Sequence, residues 1–523
     1  MSHLEDSARS DGGHAVAPPT VSEKPERLRP SDQDVQRARW FIFVLLVALL
    51  LLLYIVFLPA DRLLLDPDLY WRIATGRKIW ESGSFPQVDE FSHTFRGHPW
   101  IERDWLGDLS FFGAYSLLGW RGVAMITGGA IALAYALLFL MLARTMRLTV
   151  SIGVAAVALA LSVSHLHART QIFSDGLMVV WAAALVRAVD AKTSPSLMLL
   201  PVMTLWANVH GSFVAGLALT VALAAEAVFE SPGGERLLVT RRWAVFLVAA
   251  VGAACMTPYG ACSFLSAFQV IVSNEAKPYI NEWQAVSFDN GRIIVLSILA
   301  LVFLALLNGV KIRFCRLTIL LLIAAYMLTA IRFIFLFSII APLLLAAPLT
   351  RQFRFLRLSE QIATQPQFFT TMSRLGRRGL YGTYAIIAII ILATGVLGGS
   401  VKPSRLISPE GAVDYIFAHN LHGNIYNYYN FGGYLIFRGL PTFIDGRTAQ
   451  LFGNGFATEY FSFKRRVEFL RYLEKYSITI GLVRPDSIES EEFRTSSDWN
   501  RVYSDDISEL FVRRNELDRR GRD

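Results

Sequence analysis

Apolar residues in this chain gather into long unbroken runs separated by short polar stretches. The runs cover about 41–60, 123–143, 150–166, 174–190, 196–208, 212–229, 243–257, 292–309, 315–331, 332–349 and 381–399. About 20 apolar residues in helical conformation cross a hydrocarbon core of about 30 Å. The pattern therefore predicts a polytopic α-helical membrane protein with about 11 transmembrane helices, spanning 39–399. A further short run, 105–119, is preceded by Asp104 and contains Asp108, and predicts a helix at the membrane interface. Residues 1–38 are polar and proline-containing, without a signal-peptide pattern, and predict a disordered tail. Residues 400–523 are far less apolar. Helices are expected at 411–420 and 464–475, and strands at 424–430, 442–447, 478–484 and 508–514, with FGGYLIFRG between the first two strands. Interleaved helices and strands predict a small α/β domain.

Charge orients this layout. Lys and Arg collect in cytoplasmic loops of membrane proteins. Arg37 and Arg39 precede the first run, which places the N-terminus in the cytoplasm. The cytoplasmic loops then hold Arg144 and Arg147, Arg187 and Lys192, Arg236, Arg241 and Arg242, Lys311, Arg313 and Arg316, and the arginines between 351 and 378. Every basic cluster falls on one side, and 400–523 become extracytoplasmic. Of the 523 residues, 54% are hydrophobic and only 18% charged, which excludes an ordinary soluble enzyme. The net charge of +8 is read as topology signal and not as nucleic-acid binding. Cys255, Cys262 and Cys315 have no metal-ligand spacing.

Most of the remaining polar residues near spans fall on the outer side. The long outer loop 61–104 carries Asp66, Asp68, Asp89, Glu90, Glu102 and Asp104. Later outer turns carry His165, His167 and Arg169, then Trp206, Asn208 and His210, then Tyr259, Glu282 and Trp283, and Arg332. Taken singly, each has a plain structural explanation: a solvated carboxylate, a histidine at a helix end, an interfacial tryptophan, a snorkelling arginine. Their convergence predicts one cavity at the outer interface, roofed by the first loop.

The segment DPDLYWRIATGRKIWESGSFPQVDEFSHTFRGHPWIERDWL (66–106) resembles the first outer loop of bacterial GT-C-type glycosyltransferases, in a poorly characterised branch. Arg72 stands where that branch often has His, and Glu90 where it often has Pro. The similarity continues through RTQIFSD (169–175), LWANVHGSF (205–213), TPYG (257–260), INEW (280–283), AIRF (330–333) and NYYNFGGYLIFRGLPTFIDGRTAQLFG (427–453). The resemblance implies an integral membrane enzyme of the bacterial inner membrane with an outward-facing site and a polyprenyl-phosphate-linked sugar as donor. It also implies an acidic base or metal ligand early in the first outer loop, at Asp66 or Asp68.

That chemistry needs a carboxylate to take the acceptor's proton and fixed cations for the departing phosphate. Asp66 and Asp68 are the candidate bases. Arg332 and Arg169 are candidates for the phosphate, since a guanidinium pairs with its oxygens, followed by His210 and His167. Glu102, Asn208, Tyr259, Glu282, Trp283, Asp445 and Arg447 are candidates for the acceptor. Asp445 and Arg447 read equally as an internal ion pair ordering a loop. No spacing fixes a metal site, though Asp66, Asp68 and Glu282 are suitable ligands for a divalent ion. The function expected is inverting transfer of a sugar to a cell-envelope glycan, lipid or protein. The alternatives are a lipid-linked glycan polymerase or ligase, a transporter, and an assembly scaffold.

Overall fold

The computed structural model describes residues 63–272, 277–286, 288–357, 401–462 and 466–514. The expected N-terminal tail, the runs at 41–60 and 381–399, and the basic residues between 358 and 378 lie outside the described residues.

The membrane part is a helical array. Helix α1 (Asp68–Ser82) begins the first outer loop and ends at Gly83, whose positive φ of 63° forms a left-handed cap. Next come α2 (Trp105–Leu142), α3 (Leu148–Ser162), α4 (Gln171–Asp190), α5 (Leu200–Val209), α6 (Phe213–Phe229) and α7 (Arg236–Ala254). They are followed by α8 (Ala261–Val272), α9 (Phe288–Leu307), α10 (Phe314–Thr329) and α11 (Ile334–Gln352). Among the described residues, five helical stretches are long and apolar enough to cross a membrane, and shorter apolar helices accompany them. The expected interfacial helix and the following span are joined within α2, which breaks at Gly119 (φ 60°, ψ −147°). Helix α8 was not expected from the pattern.

Alternate helix ends gather on opposite sides. Asp66, His167, Arg169, His210, Glu282 and Arg332 border one cavity. The opposite ends of α4, α6, α10 and α11 carry Asp190, Glu226, Arg316 and Arg351. Arg316, almost wholly buried, donates to both oxygens of Glu226 (3.0 and 3.3 Å) and pairs with Asp190 at 3.3 Å. A buried charge is tolerated only when paired in this way.

The C-terminal part contains α12 (Glu410–Ala418), β1 (Asn424–Asn427), α13 (Gly432–Phe437), α14 (Phe456–Phe461), α15 (Arg466–Lys475), β2 (Ile478–Val483), α16 (Ile488–Thr495), β3 (Trp499–Ser504) and β4 (Glu509–Arg513). The sheet order is β1-β2-β4-β3; β1 and β2 are parallel, and the other pairs antiparallel. One expectation is corrected: TFIDGR is not a strand, and its Asp445 and Arg447 pair with each other. FGGYLIF, between the two expected strands, forms helix α13 and packs against α1. Helices α14 and α16 and strand β3 were not expected. The domain's aromatic core (Tyr426, Phe443, Phe456, Tyr472) is continuous with Trp71 and Trp100 of the first outer loop. That shared core seats the sheet domain on the loop.

Candidate functional site

A cavity of about 820 Å³ lies where the helix ends, the first outer loop and the C-terminal domain meet. Asp66 and Asp68 stand on its wall because Pro67 precedes the first turn of α1 and holds the two acids at the helix entrance. Asp66 is buried, and its Oδ1 accepts the Asp68 backbone N–H at 2.8 Å. Its other oxygen is bound by Arg169, and His167 Nε2 lies 3.7 Å away. Arg169 also binds Glu282, so one guanidinium ties the first loop to the 277–286 segment. Burial would raise the Glu282 carboxyl, but Arg169, Arg332 and His167 outweigh it and hold the group at about 2. Asp68 differs. It faces the cavity without an ion pair among the described residues, and burial pushes its carboxyl above the ordinary range despite the opposing field of Arg72.

Arg332 follows the extended Ala330 that ends α10, and its guanidinium lies 4.1 Å from the centre of the Trp283 ring. It has no carboxylate partner among the described residues. Its planar cation is therefore stacked on an aromatic face with its donors open to the cavity. His210 sits in the extended turn between α5 and α6 and accepts the Ser212 N–H at 3.1 Å. Burial pushes it down to about 3, so the imidazole is neutral at pH 7 and can offer phosphate a hydrogen bond but no charge. His167 is likewise lowered by burial.

Asp66, His167 and Glu282 each present one ligand atom, all within 4.8 Å of one another. Two carboxylates and a neutral imidazole suit a divalent first-row cation. Two of the three ligands suggested by the sequence, Asp66 and Glu282, belong to this trio, and His167 is its third member.

The same wall carries a second charged cluster, in which Arg72, Arg103 and Asp104 also border the cavity; the sequence alone did not assemble it. Arg72 binds Asp104 and Asp108, each at 3.1 Å, and approaches Glu102 at 3.8 Å. Asp104 also accepts from Thr170 (3.2 Å) and from the Gly211 N–H (3.2 Å), which joins three outer turns. Burial pushes Glu102 up to about 7, opposed by Arg72. Burial also opposes Asp104, but Arg103, His210 and Arg72 bring it to about 2. A basic residue at position 72, flagged as a departure from the family pattern, was the available signal for this cluster.

Of the residues expected at the site, Asp66, Asp68, His167, Arg169, His210, Glu282, Trp283, Arg332 and Arg447 border the cavity. Glu102, Asn208, Tyr259 and Asp445 do not. Asn208 is engaged by Trp105 Nε1 (2.8 Å) and donates to the carbonyls of Thr204 and Met256, while Tyr259 donates to the Pro86 carbonyl (2.9 Å). Arg447 is fully buried and donates to Asp445 (2.7 and 2.8 Å) and Asp89 (2.5 Å). The C-terminal domain adds Tyr428, Tyr429, Gln450 and Arg484 to the cavity wall. Tyr279 stacks on Phe461 of α14, ring centroids 5.0 Å apart, and closes one side.

No known family matches the chain by sequence, and no curated protein matches it. Solved structures do. ArnT from Cupriavidus metallidurans in the apo state shares 15% identity over 91% of this chain and 98% of its own, with a TM-score of 0.50. The apo Archaeoglobus fulgidus oligosaccharyltransferase shares 11% identity over 85% of this chain and 69% of its own, also at 0.50. Archaeal AglB from Archaeoglobus fulgidus, in complex with an inhibitory peptide and a dolichol-phosphate, aligns at 11% identity over 87% of this chain and 70% of its own, again at 0.50. The chain has the GT-C fold of these integral membrane glycosyltransferases.

Proposed function

We propose that this protein transfers a sugar from a polyprenyl-phosphate donor to an acceptor hydroxyl at the outer face of the bacterial inner membrane, with inversion at the anomeric carbon. One observation carries the reading. One cavity holds a carboxyl without an ion pair among the described residues, Asp68, together with Arg332, which has no carboxylate partner among them. A base awaiting a proton and a cation awaiting an anion are what glycosyl transfer from a lipid phosphate requires. The dolichol-phosphate held by AglB, a protein of the same fold, supports a lipid phosphate as the donor's leaving group.

In this reading the acceptor oxygen attacks the anomeric carbon from the face opposite the phosphate. Its proton passes to Asp68 as the new C–O bond forms. The bond from the anomeric carbon to the phosphate oxygen breaks, and the polyprenyl phosphate leaves with the bonding electrons. Arg332 stabilises the charge that builds on that oxygen, and the Trp283 face keeps the guanidinium in place. Asp66 orients Asp68 through the backbone N–H it accepts, and fixes Arg169. Asp66, His167 and Glu282 would hold a divalent ion, which when bound supplies Lewis-acid help at the phosphate. The acceptor is a cell-envelope glycan, lipid or protein, reached past the tyrosines of the C-terminal domain.

The test is release of undecaprenyl phosphate from a panel of undecaprenyl-phosphate sugars by protein in nanodiscs, with and without Mn²⁺. Asp68→Asn is expected to lose about 10²- to 10⁴-fold in kcat while still binding the lipid phosphate. Full turnover by Asp68→Asn would remove it as the base.

A further inference from the structure

The sequence motifs FGG (431–433) and DGR (445–447) lie far from the first outer loop in the chain, yet both close on Asp66-Pro67-Asp68. At Gly433 an added Cβ would run into the Pro67 carbonyl group, with the Tyr70 side chain at ordinary contact distance. At Gly446 it would overlap the Asp68 carboxylate at Oδ1. Gly432 in turn lies against Asp445 and the Ile444 carbonyl. Two glycines of one domain are thus stacked, without side chains, against the triplet that carries the acids.

The loop that presents Gly446 is held from behind. Arg447 clamps Asp445 and reaches Asp89, which itself accepts from the Phe91 and Ser92 N–H groups. Thr442 donates to Asp445 at 3.0 Å, and Asn427 accepts the Phe443 N–H at 2.8 Å. The anchoring atoms are fully buried. A fixed backbone therefore meets the carboxylate, and the Asp68 side chain is the softer partner.

We infer that the DGR loop of the C-terminal domain is a positioning element for the reaction, in which Gly446 sets where the Asp68 carboxylate stands in the cavity. The inference rests on the reading of Asp68 as the base. It gives Asp445 and Arg447 the work of holding Gly446 in place and not of binding acceptor.

The consequence separates folding from turnover. At Gly446 the atom in the way is the end of a rotatable side chain, and the backbone there is not in the left-handed region, so alanine fits if Asp68 turns aside. At Gly433 the obstacle is backbone, so alanine must push the domain off the loop. Misplacing a reacting group by about 1 Å costs on the order of 10²-fold in rate.

The experiment compares wild type, Gly446→Ala, Gly433→Ala and Asp68→Asn in nanodiscs. It reads thermal melting, undecaprenyl phosphate binding, kcat and KM where turnover is measured, and an experimental structure of Gly446→Ala. Gly446→Ala is expected to melt and bind undecaprenyl phosphate as wild type does and to lose about 10²-fold in kcat with KM little changed. Its Asp68 carboxylate should be displaced while residues 445–447 stay in place, a readout that needs no donor sugar. Gly433→Ala should melt early. A Gly446→Ala structure with Asp68 unmoved would overturn the inference, as would melting as early as that of Gly433→Ala. Normal kcat in Gly446→Ala beside an inactive Asp68→Asn would overturn the positioning role alone. Normal kcat in Asp68→Asn would overturn the base assignment, and the inference with it.

Discussion

Arg447→Met tests whether the buried ion cluster builds the site or serves in it. The substitution keeps the side chain's length and removes its charge. Three hydrogen bonds are lost, two to Asp445 and one to Asp89, and both carboxylates are wholly buried. Removing one partner of a buried ion pair costs about 3–5 kcal/mol, because the other is left as an uncompensated charge. Against a typical domain stability of about 5–15 kcal/mol this is a large fraction. At about 2–4 °C per kcal/mol, melting should fall by roughly 6–20 °C. The effect has a signed pH dependence. In the wild type, burial would raise Asp89, but Arg447 and the Ser92 hydrogen bond outweigh it, and its folded pKa is lowered. A lowered carboxyl gives stability that is present above the unfolded value, about 3.9, and is lost as pH falls through the folded one. Without Arg447 this lowering goes. The gap between wild type and variant should be widest near pH 7 and narrow below about pH 4. The assay is melting in detergent across pH, with hydrogen exchange of segments 88–100 and 442–450, both of which should lose protection. Unchanged melting and protection with turnover lost would refute the reasoning and return Arg447 to substrate binding.

Two further predictions use the same structure. Asp68 must be ionised to accept a proton, and burial raises its pKa. The rate should therefore fall, as pH is lowered, through a value above the ordinary aspartate pKa of about 3.9; a pH–rate profile flat down to pH 4 would contradict this. Arg316→Met leaves Glu226 buried without its principal cation, so it should cost about 3–5 kcal/mol, read as early melting, with turnover per folded molecule unchanged; adding Glu226→Leu should restore melting. Normal melting of Arg316→Met alone would show that the Glu226–Arg316 cluster is not holding the helices together.

Most of the described membrane helices were legible because a long apolar run with few charges is a pattern little disturbed by tertiary context; α8, a shorter run, was not. The cavity residues were legible for a related reason. Asp66, Arg169, His210 and Arg332 each stand at an interruption where the chain turns between helices, and bundle geometry brings such turns together. Glu102, Asn208 and Tyr259 occupy similar positions, but their polar atoms turn inward to partners such as the Asp104 N–H, Trp105 and the Pro86 carbonyl, which no spacing reveals. The pairing of Arg72 with Asp104 and Asp108 crosses more than thirty residues, and the Arg447–Asp89 pair crosses 358. Such contacts depend on the fold and leave no periodic trace. Nor does the pattern show that Gly433 is needed for the close approach of α13 to the Pro67 carbonyl.

The Glu226–Arg316 pair also sets a problem of timing. The two residues are 90 positions apart, and α6 leaves the ribosome long before α10 exists. At about 5–20 residues per second, roughly 5–18 s pass between synthesis of the acid and of its partner. During that interval α6 carries a carboxyl near its C-terminal end that the finished protein hides completely. Its ion pair with Arg316 can form only when α10 arrives. The joining of α6 to α10 is thus a late step of assembly, and a chain truncated before α10 would keep Glu226 without its principal cation.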